Sequence, residues 1–350
     1  MAREPLTPQG GAKIEDVARA AGVSIMTVSR ALRGVEGVSA QKRELIVTLA
    51  REMRYSPSSL AGSLAAAHSN LIGVSVPTLD DAVFSEIFET MRMFFLRRGF
   101  QTVFDTTDYA TAREEDWVER MIAWRPAGIV LSGVDHSPRT KRMLLRSGIP
   151  TLEIWSYSDN PIDMCVGIDH FAAGLEMGRF LVDLGYRRPA HIGPRAEYDV
   201  RAEQRLDGLK AAFGEYECAV EPCIRMDLPL SFEGGRLGMK RLLDASWHSE
   251  KMCPDVVCFL NDHMAFGGLI ECEARGIDVP QSLGIVGFNG LRLNSVLNRP
   301  ITTTTTPRAQ LGEKAAQLLI AKMSKAATTK TVKLPVTITP GQTTRTITRG

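Results

Sequence analysis

The sequence lacks long hydrophobic runs. Apolar stretches such as 71–77 and 256–260 fall far below the ~18 residues that a membrane-spanning helix needs. The first eleven residues contain prolines and glycines where a secretory signal peptide has an uninterrupted apolar region. These absences exclude a membrane protein and a secreted protein. We therefore expect a cytoplasmic location and no membrane partner.

Cysteine is scarce and absent from the first 164 residues. The spacing is too sparse for a disulfide framework, so we predict free thiols. The six are Cys165, Cys218, Cys223, Cys253, Cys258 and Cys272. A metal-ligand pattern is present at His248, Cys253, Cys258 and His263. Cys258 lies in a predicted strand, however, and an extended chain rising ~3.3 Å per residue spreads such groups apart. We predict no metal and no other cofactor.

Motifs of catalysis are also missing. The first predicted strand, at 71–77, is not followed by a G-x-G-x-x-G phosphate loop, and no serine or cysteine stands in a recognisable nucleophile motif. We therefore predict a binding protein and not an enzyme.

Positive charge is concentrated at one end of a nearly neutral chain. The formal net charge is only +2, yet residues 1–69 hold nine basic and six acidic side chains. The rest of the chain is nearly balanced. Contact with nucleic-acid phosphates would require the excess in this first segment.

Hydrophobic spacing predicts two short helices on either side of Gly22. Val17 and Val28 stand at core positions of the first and second helix. Glycine can adopt the left-handed conformation that turns the chain tightly, and Ser24 is placed to cap the second helix. A third helix, at about 40–53, would close a small core. This arrangement is typical of a helix-turn-helix.

Beyond residue 69, short apolar runs alternate with helical segments, which predicts parallel sheets covered by helices. The predicted fold class is a small all-α helix-turn-helix headpiece followed by an α/β sensor of two doubly wound parallel-sheet lobes. We expect the headpiece at 1–57, a hinge helix or linker at 58–69 and the sensor at 70–350. The first lobe is predicted to comprise 70–166 and 300–329, and the second 167–299 and 330–347.

Two motifs carry a resemblance to a known family. The stretches D-V-A-R-A-A-G-V-S-I-M-T-V-S-R-A-L at 16–32 and Y-S-P-S-S-L-A-G-S-L at 55–64 resemble the LacI/GalR family of transcriptional regulators. Downstream, I-G-V-S-V-P, L-N-D-H-M-A-F-G and I-V-G-F-N-G follow in family order. The resemblance implies a sensor related to periplasmic sugar-binding proteins. The stretches 153–163 and 166–174 are further similar to gluconate-utilisation repressors, which implies a sugar-acid effector.

The second helix of the headpiece is predicted to read bases in the major groove from its first residues. The candidates are Ser24, Ile25, Met26, Thr27, Ser29 and Arg30. Arg30 can bind guanine or a phosphate, and both alternatives stay open. Ile25 and Met26 offer apolar contact to a thymine methyl or contribute packing alone. By resemblance, Leu64 is the hinge side chain that inserts into the minor groove.

The resemblance also places an effector between the two lobes. The matching positions are Phe84, Trp155, Arg201, Arg205, Asn261 and Asn289. Arginine pairs with a carboxylate, amides bind hydroxyls and aromatic faces cover C–H groups. Trp155 and Asn289 stand where many sugar-binding relatives carry aspartate, and their neutrality favours an anionic ligand. Asp169 either caps a helix or helps to close the cleft.

We expect a homodimer on a pseudo-palindromic operator, because one headpiece reads only a few base pairs. Apolar residues at helical spacing in 84–98 could supply part of the interface: Phe84, Ile87, Phe88, Met91 and Phe95. Two alternatives remain beside a sugar-acid-responsive repressor. One is a regulator responding to a neutral sugar or another metabolite, and the other is a ligand-binding protein without a DNA role.

Overall fold

The chain divides into two units, residues 1–69 and 70–350. The computed structural model describes residues 12–32, 34, 36–55, 69–79, 82–195, 199–227, 231–247 and 253–347. Leu64, His248 and nearly all of the expected hinge at 58–69 lie outside these ranges. Within them, no helix is both long and apolar enough to cross a membrane.

The described part of the first unit contains three helices: α1 (Ile14–Ala21), α2 (Ile25–Leu32) and α3 (Ala40–Glu52). Gly22 ends α1 in the left-handed conformation, with φ of 63°, which a side chain would disfavour. Val17, Val28 and Ile46 are fully buried at the centre of the three helices. The predicted helix-turn-helix fold is confirmed.

The second unit begins with alternating strands and helices. In chain order these are β1 (Leu71–Val76), α4 (Ala82–Leu96), β2 (Gln101–Thr106), α5 (Thr111–Ala123), β3 (Gly128–Ser132), α6 (Pro138–Ser147), β4 (Thr151–Ser156) and β5 (Met164–Ile168). Together with β11 (Thr331–Lys333), a strand near the C-terminus, these strands form a parallel sheet in the order β11-β5-β4-β3-β1-β2.

A second series of elements follows, and most of it builds the other lobe; its helix at 308–323 and its strand at 331–333 belong to the first lobe. Its elements are α7 (His170–Asp183), β6 (Pro189–Pro194), α8 (Val200–Gly214), β7 (Cys223–Met226), α9 (Phe232–Ser246), β8 (Val256–Phe259), α10 (Asp262–Ala274), β9 (Gly284–Asn289), a 3-10 helix (Arg292–Val296), β10 (Thr302–Thr305), α11 (Arg308–Met323), β11 (Thr331–Lys333) and β12 (Thr337–Thr339). The sheet order is β12-β10-β9-β8-β6-β7, parallel except for β12. Two doubly wound lobes are therefore present, as predicted.

The predicted lobe boundaries are wrong near the C-terminus. Strand β10 was assigned to the first lobe with 300–329, but it pairs with β9 in the second sheet. Only α11 from that range packs on the first lobe, against α4 and β5. The segment 330–338, which the predicted boundaries place wholly in the second lobe, is divided between the two lobes. It is two strands, because Pro335 has no N–H to donate to a ladder: β11 joins the first sheet and β12 the second.

The proposed interface stripe on the helix at 84–98 is also wrong. Phe84, Ile87, Met91 and Phe95 are almost completely buried in the core of the first lobe, and Phe88 packs against it. An apolar stripe at helical spacing indicates only that one face of the helix is covered. Here α11 and the sheet cover it, so the four buried side chains are not available to a partner subunit.

Helices α7 and α8 cross with their backbones in contact. A Cβ added to Gly174 would lie 2.0 Å from the carbonyl oxygen of Arg205, and one added to Gly208 would lie 2.1 Å from that of Phe171. Only glycine permits this approach. The crossing fixes Arg205 of α8 beside the first turn of α7.

Candidate functional site

The exposed face of α2 carries the residues predicted to contact DNA. Ile25 and Met26 are large apolar side chains with 47% and 64% of their surface exposed. Ser24 and Arg30 are exposed as well, while Thr27 and Ser29 are half-buried. The Ser24 hydroxyl accepts a hydrogen bond from the Thr27 amide at 3.2 Å. Ser24 thus begins the helix, and the others present a surface of mixed apolar, hydroxyl and cationic groups.

A polar cavity of about 180 Å³ lies between the two lobes of the second unit. It forms where the carboxyl ends of parallel strands meet, the usual ligand site of doubly wound sheets. The lining includes Thr107, Tyr109, Glu114, Ser132, Asp135, Asp199 and Arg201. Of the predicted effector residues, only Arg201 lines this cavity directly.

Arg201 is a buried cation held by both lobes. Its Nε donates to Asp199 Oδ1 at 2.8 Å, and its Nη1 donates to the hydroxyl of Ser132 at 3.3 Å. The guanidinium lies 5.8 Å from the ring centres of Phe84 and Tyr109. Burial opposes the charge of Asp199, but the nearby cations Arg201 and Arg205 hold the pKa of that carboxyl below its usual value. Asp199 is thus ionised and largely neutralises Arg201.

Aromatic rings continue from Arg201 toward Arg205. Phe84 and Trp155 meet edge to face with ring centres 6.0 Å apart, and Trp155 lies 5.6 Å from His170. Arg205 places its guanidinium 4.3 Å from the ring centre of Phe288. Its Nη1 lies 3.0 Å from Nδ1 of His170. The cleft therefore has an arginine at each end of an aromatic wall.

His170 is uncharged in this arrangement. Complete burial, followed by the charges of Arg205 and Arg201, lowers its pKa well below the usual value. A neutral Nδ1 can accept the hydrogen bond that Arg205 donates. Arg205 thus donates to a neutral ring, and the charge of Asp199 acts on Arg205 as well as on Arg201.

Asn289 is the last residue of β9, and Asn261 lies two residues beyond the end of the neighbouring strand β8. Asn261 caps α10, where its Oδ1 accepts from the Met264 amide at 2.9 Å. Asn289 has a φ of 106°. Among the described residues its buried Oδ1 has no hydrogen-bond partner. Trp155 also has a positive φ, 78°. Strained backbone at non-glycine residues is concentrated at functional sites. Trp155 and Asn289 are also the two positions at which many sugar-binding relatives carry aspartate.

Asp169 is a helix cap, one of the two alternatives that the sequence left open. Its Oδ1 accepts from the Ala172 amide at 3.0 Å, and its Oδ2 accepts from Lys333 at 2.7 Å. Both oxygens are engaged in joining α7 to β11.

Several residues of the cleft were missed by the sequence analysis: Tyr109, Ser132, Asp199, His170 and Phe288. The sequence could have indicated His170 and Asp199, because each lies at the start of a predicted helix that follows a strand. Ligand-binding residues of doubly wound sheets are found at such junctions. Tyr109 had no such signal, since it follows β2 in a turn without periodicity.

A buried acid–histidine cluster underlies the cavity. His136 Nδ1 lies 2.9 Å from Glu114 Oε1, and its Nε2 lies 3.5 Å from Glu153 Oε1. Burial raises the pKa of Glu153 to about 7. For His136, burial opposes protonation, but the carboxylates of Glu114 and Glu153 outweigh it and raise the pKa. The cluster therefore retains a proton near neutral pH.

Replacing Glu153 with glutamine should flatten the pH dependence of stability. A carboxyl with a raised pKa is protonated longer in the folded chain than in the unfolded one, so the free energy of unfolding falls as pH rises from about 4.5 to 7. Because the pKa of His136 is raised as well, the free energy of unfolding continues to fall as the pH rises above the usual pKa of histidine. We expect E153Q to gain ~1–3 kcal/mol over the wild type between pH 5 and 8, measured by urea unfolding. The same gain in E119Q, an exposed carboxylate, would contradict this account.

Comparisons with known proteins agree with the two-part organisation. Residues 13–58 match the family model described as bacterial regulatory proteins, lacI family, and residues 179–344 match a periplasmic binding protein-like domain. The chain is 31% identical to the HTH-type transcriptional regulator GntR of Pseudomonas aeruginosa over 89% of both chains. It is 30% identical to GntR of Escherichia coli K12, over 94% of this chain and 97% of the relative.

A solved structure extends the match to nearly the whole chain. A LacI-family transcriptional regulator from Silicibacter pomeroyi superposes with a TM-score of 0.88 at 32% identity, covering 95% of this chain and 99% of the other. The match thus spans both units of the chain.

Proposed function

Since the chain belongs to the LacI family of DNA-binding transcriptional regulators, we propose that it represses transcription from a pseudo-palindromic operator and leaves that operator when an unphosphorylated sugar acid binds in the cleft. D-Gluconate is the representative ligand. Two headpieces of a homodimer contact the two half-sites, and Leu64 contacts the minor groove between them. Regulators of this family bind operator DNA and small-molecule effectors and are not enzymes.

The placement of Arg205 carries the sugar-acid proposal. Its guanidinium lies against the Phe288 ring and the neutral His170. Trp155 and Asn289, the neutral residues of the same cleft, add no negative charge. A carboxylate bound at Arg205 forms a charge-assisted pair, and the resemblance of 153–163 to gluconate-utilisation repressors supports the same ligand class.

The other end of the cleft selects against phosphate. Glu114, Asp135 and Asp199 line the cavity, whereas the charge of its arginine, Arg201, is offset by Asp199. Carboxylates accept hydrogen bonds from sugar hydroxyls but repel a phosphate group. A polyol chain that extends from Arg205 toward this cavity would offer its hydroxyls to these carboxylates, so gluconate should bind better than its 6-phosphate.

Calorimetry on the full-length protein tests this proposal. D-Gluconate and 2-keto-D-gluconate should bind, while 6-phosphogluconate and D-glucose should bind at least tenfold more weakly. Binding of glucose alone would favour the neutral-sugar alternative, and preferential binding of 6-phosphogluconate would contradict the role of the cavity carboxylates. If none of the four ligands binds at millimolar concentration, the sugar-acid proposal is wrong. The assignment as a DNA-binding regulator does not depend on this result.

For the headpiece, the variant Arg30→Ala distinguishes the two contacts that the sequence left open. If Arg30 binds a base, operator affinity should fall by ~1–3 kcal/mol while affinity for random DNA stays nearly constant. Anisotropy titrations of both DNAs at one salt concentration measure this difference. Equal losses on operator and random DNA would show a phosphate contact and refute base recognition.

A further inference from the structure

Arg308, the first residue of α11, is a buried guanidinium that bridges the lobes. On the second lobe, its Nη1 donates to the carbonyl oxygen of Asn289 and to the hydroxyl of Thr306, and its Nη2 donates to the carbonyl of Gly290 at 3.1 Å. On the first lobe, its Nε donates to Glu86 Oε2 at 2.8 Å. Arg308 is only 6% exposed. One side chain thus holds the end of β9 and a carboxylate of α4 together.

The backbone that Arg308 holds is strained. Asn289 has a φ of 106°, a region that non-glycine residues rarely adopt unless surrounding contacts enforce it. Its carbonyl oxygen accepts from the Thr306 amide at 3.3 Å and from the Thr306 hydroxyl at 3.2 Å, in addition to Arg308. These bonds maintain the conformation at the position where the Asn289 side-chain Oδ1 is buried and unpartnered among the described residues.

We propose that Arg308 is a positioning residue for the effector and a link between the lobes. It holds Asn289 in the conformation that binds the effector, and through Glu86 it couples effector binding to the arrangement of α4 in the first lobe. This inference rests on the proposed function in one respect, namely that Asn289 contacts the effector.

A guanidinium suits this position because its fork of donors reaches several acceptors in fixed directions. Lysine at 308 would preserve the positive charge but would lose the planar fork. Glutamine at 86 would leave the bonds to Asn289 and Gly290 in place while removing the ion pair to α4. The two changes therefore separate positioning from coupling.

The experiment uses the full-length protein with D-gluconate as the probe. Arg308→Lys should raise the gluconate Kd at least tenfold. Glu86→Gln should change that Kd less than about threefold, yet should reduce the effect of saturating gluconate on operator affinity at least tenfold. Thr306→Val removes one hydrogen bond to the Asn289 carbonyl and should weaken gluconate binding in the same direction as Arg308→Lys.

The matched control is Arg292→Gln. Arg292 approaches the same Glu86 carboxylate at 3.5 Å from the surface and is 87% exposed. Because an exposed pair of this kind contributes little, the variant should behave as wild type in gluconate binding and operator release. Equal losses of release in R292Q and E86Q would overturn the assignment of coupling to Arg308.

A ligand-independent measurement keeps this inference separate from the sugar-acid proposal. Amide hydrogen exchange of effector-free protein should be at least tenfold faster at 284–291 in Arg308→Lys than in wild type, and unchanged in R292Q. If Arg308→Lys does not fold, Thr306→Val must show the acceleration. Absence of the acceleration in a folded variant overturns the inference. Failure of wild type to bind gluconate overturns only the effector proposal, since exchange still decides the role of Arg308.

Discussion

Replacing Arg205 with alanine should abolish gluconate-induced release while leaving operator affinity within about threefold of wild type. The variant removes the cation that we assign to the effector carboxylate, a charge-assisted interaction on the order of 1.5–3 kcal/mol. Gluconate affinity should therefore fall at least tenfold. In cells the result is permanent repression. Calorimetry and operator titrations in parallel provide the measurement.

Arg195→Ala is the matched control for this result. Arg195 lies in the same lobe and pairs at the surface with Asp227 at 2.9 Å. Loss of an exposed pair is expected to change stability and binding little. If gluconate-induced release from the operator is reduced equally in both arginine variants, the reduction cannot be attributed to a contact between Arg205 and the effector carboxylate. If Arg205→Ala still releases the operator at wild-type gluconate concentration, the assignment of Arg205 is wrong.

Gly174→Val should disrupt the second unit. Its Cβ would lie 2.0 Å from the backbone oxygen of Arg205, so α7 and α8 would have to separate. Overpacking of this kind costs ~1–3 kcal/mol and more when backbone is involved. The displaced helix carries both cleft arginines, so gluconate binding should be lost as well. Thermal unfolding and calorimetry of the full chain measure the two effects.

Gly214→Ala provides the comparison within the same pair of helices. A Cβ added to Gly214, at the end of α8, meets nothing within 4 Å. Alanine also has the higher helix propensity. This variant should match or slightly exceed wild-type stability and should bind gluconate normally. A Gly174→Val protein as stable as Gly214→Ala would contradict the close helix crossing.

The headpiece was predictable in detail because its signals are local. Gly22 and the apolar spacing around Val17 and Val28 determine the turn and the core within a few residues of one another. The alternation of strands and helices also indicated two parallel sheets. Such patterns specify the kind of element and its buried face, and those parts of the prediction agree with the structure.

The lobe boundaries were not predictable in the same way. Strand β10 and helix α11 are adjacent in sequence but belong to different lobes, and no local pattern reveals which sheet a strand joins. The apolar stripe of α4 likewise does not reveal whether another helix or another subunit covers it. Pro335 was the one visible signal that 330–338 could not form a continuous strand.

The cleft was only partly visible for a related reason. Arg201 and Arg205 were identified through resemblance, but their different partners emerge only from the fold. Asp199 pairs directly with Arg201 and also acts on Arg205, which donates to the neutral His170. The role of Arg308 had no sequence signal, because its contacts with Glu86 and Asn289 join distant parts of the chain.

Thermodynamic linkage between operator DNA and gluconate tests the central claim most directly. The full-length protein is titrated with labelled promoter DNA without and with saturating gluconate, and gluconate is titrated into free and DNA-bound protein. We predict two chains bound per operator duplex, with gluconate weakening operator binding by the same factor by which operator weakens gluconate binding, typically 5- to 150-fold. Equal operator affinity in the presence and absence of bound gluconate would contradict the account.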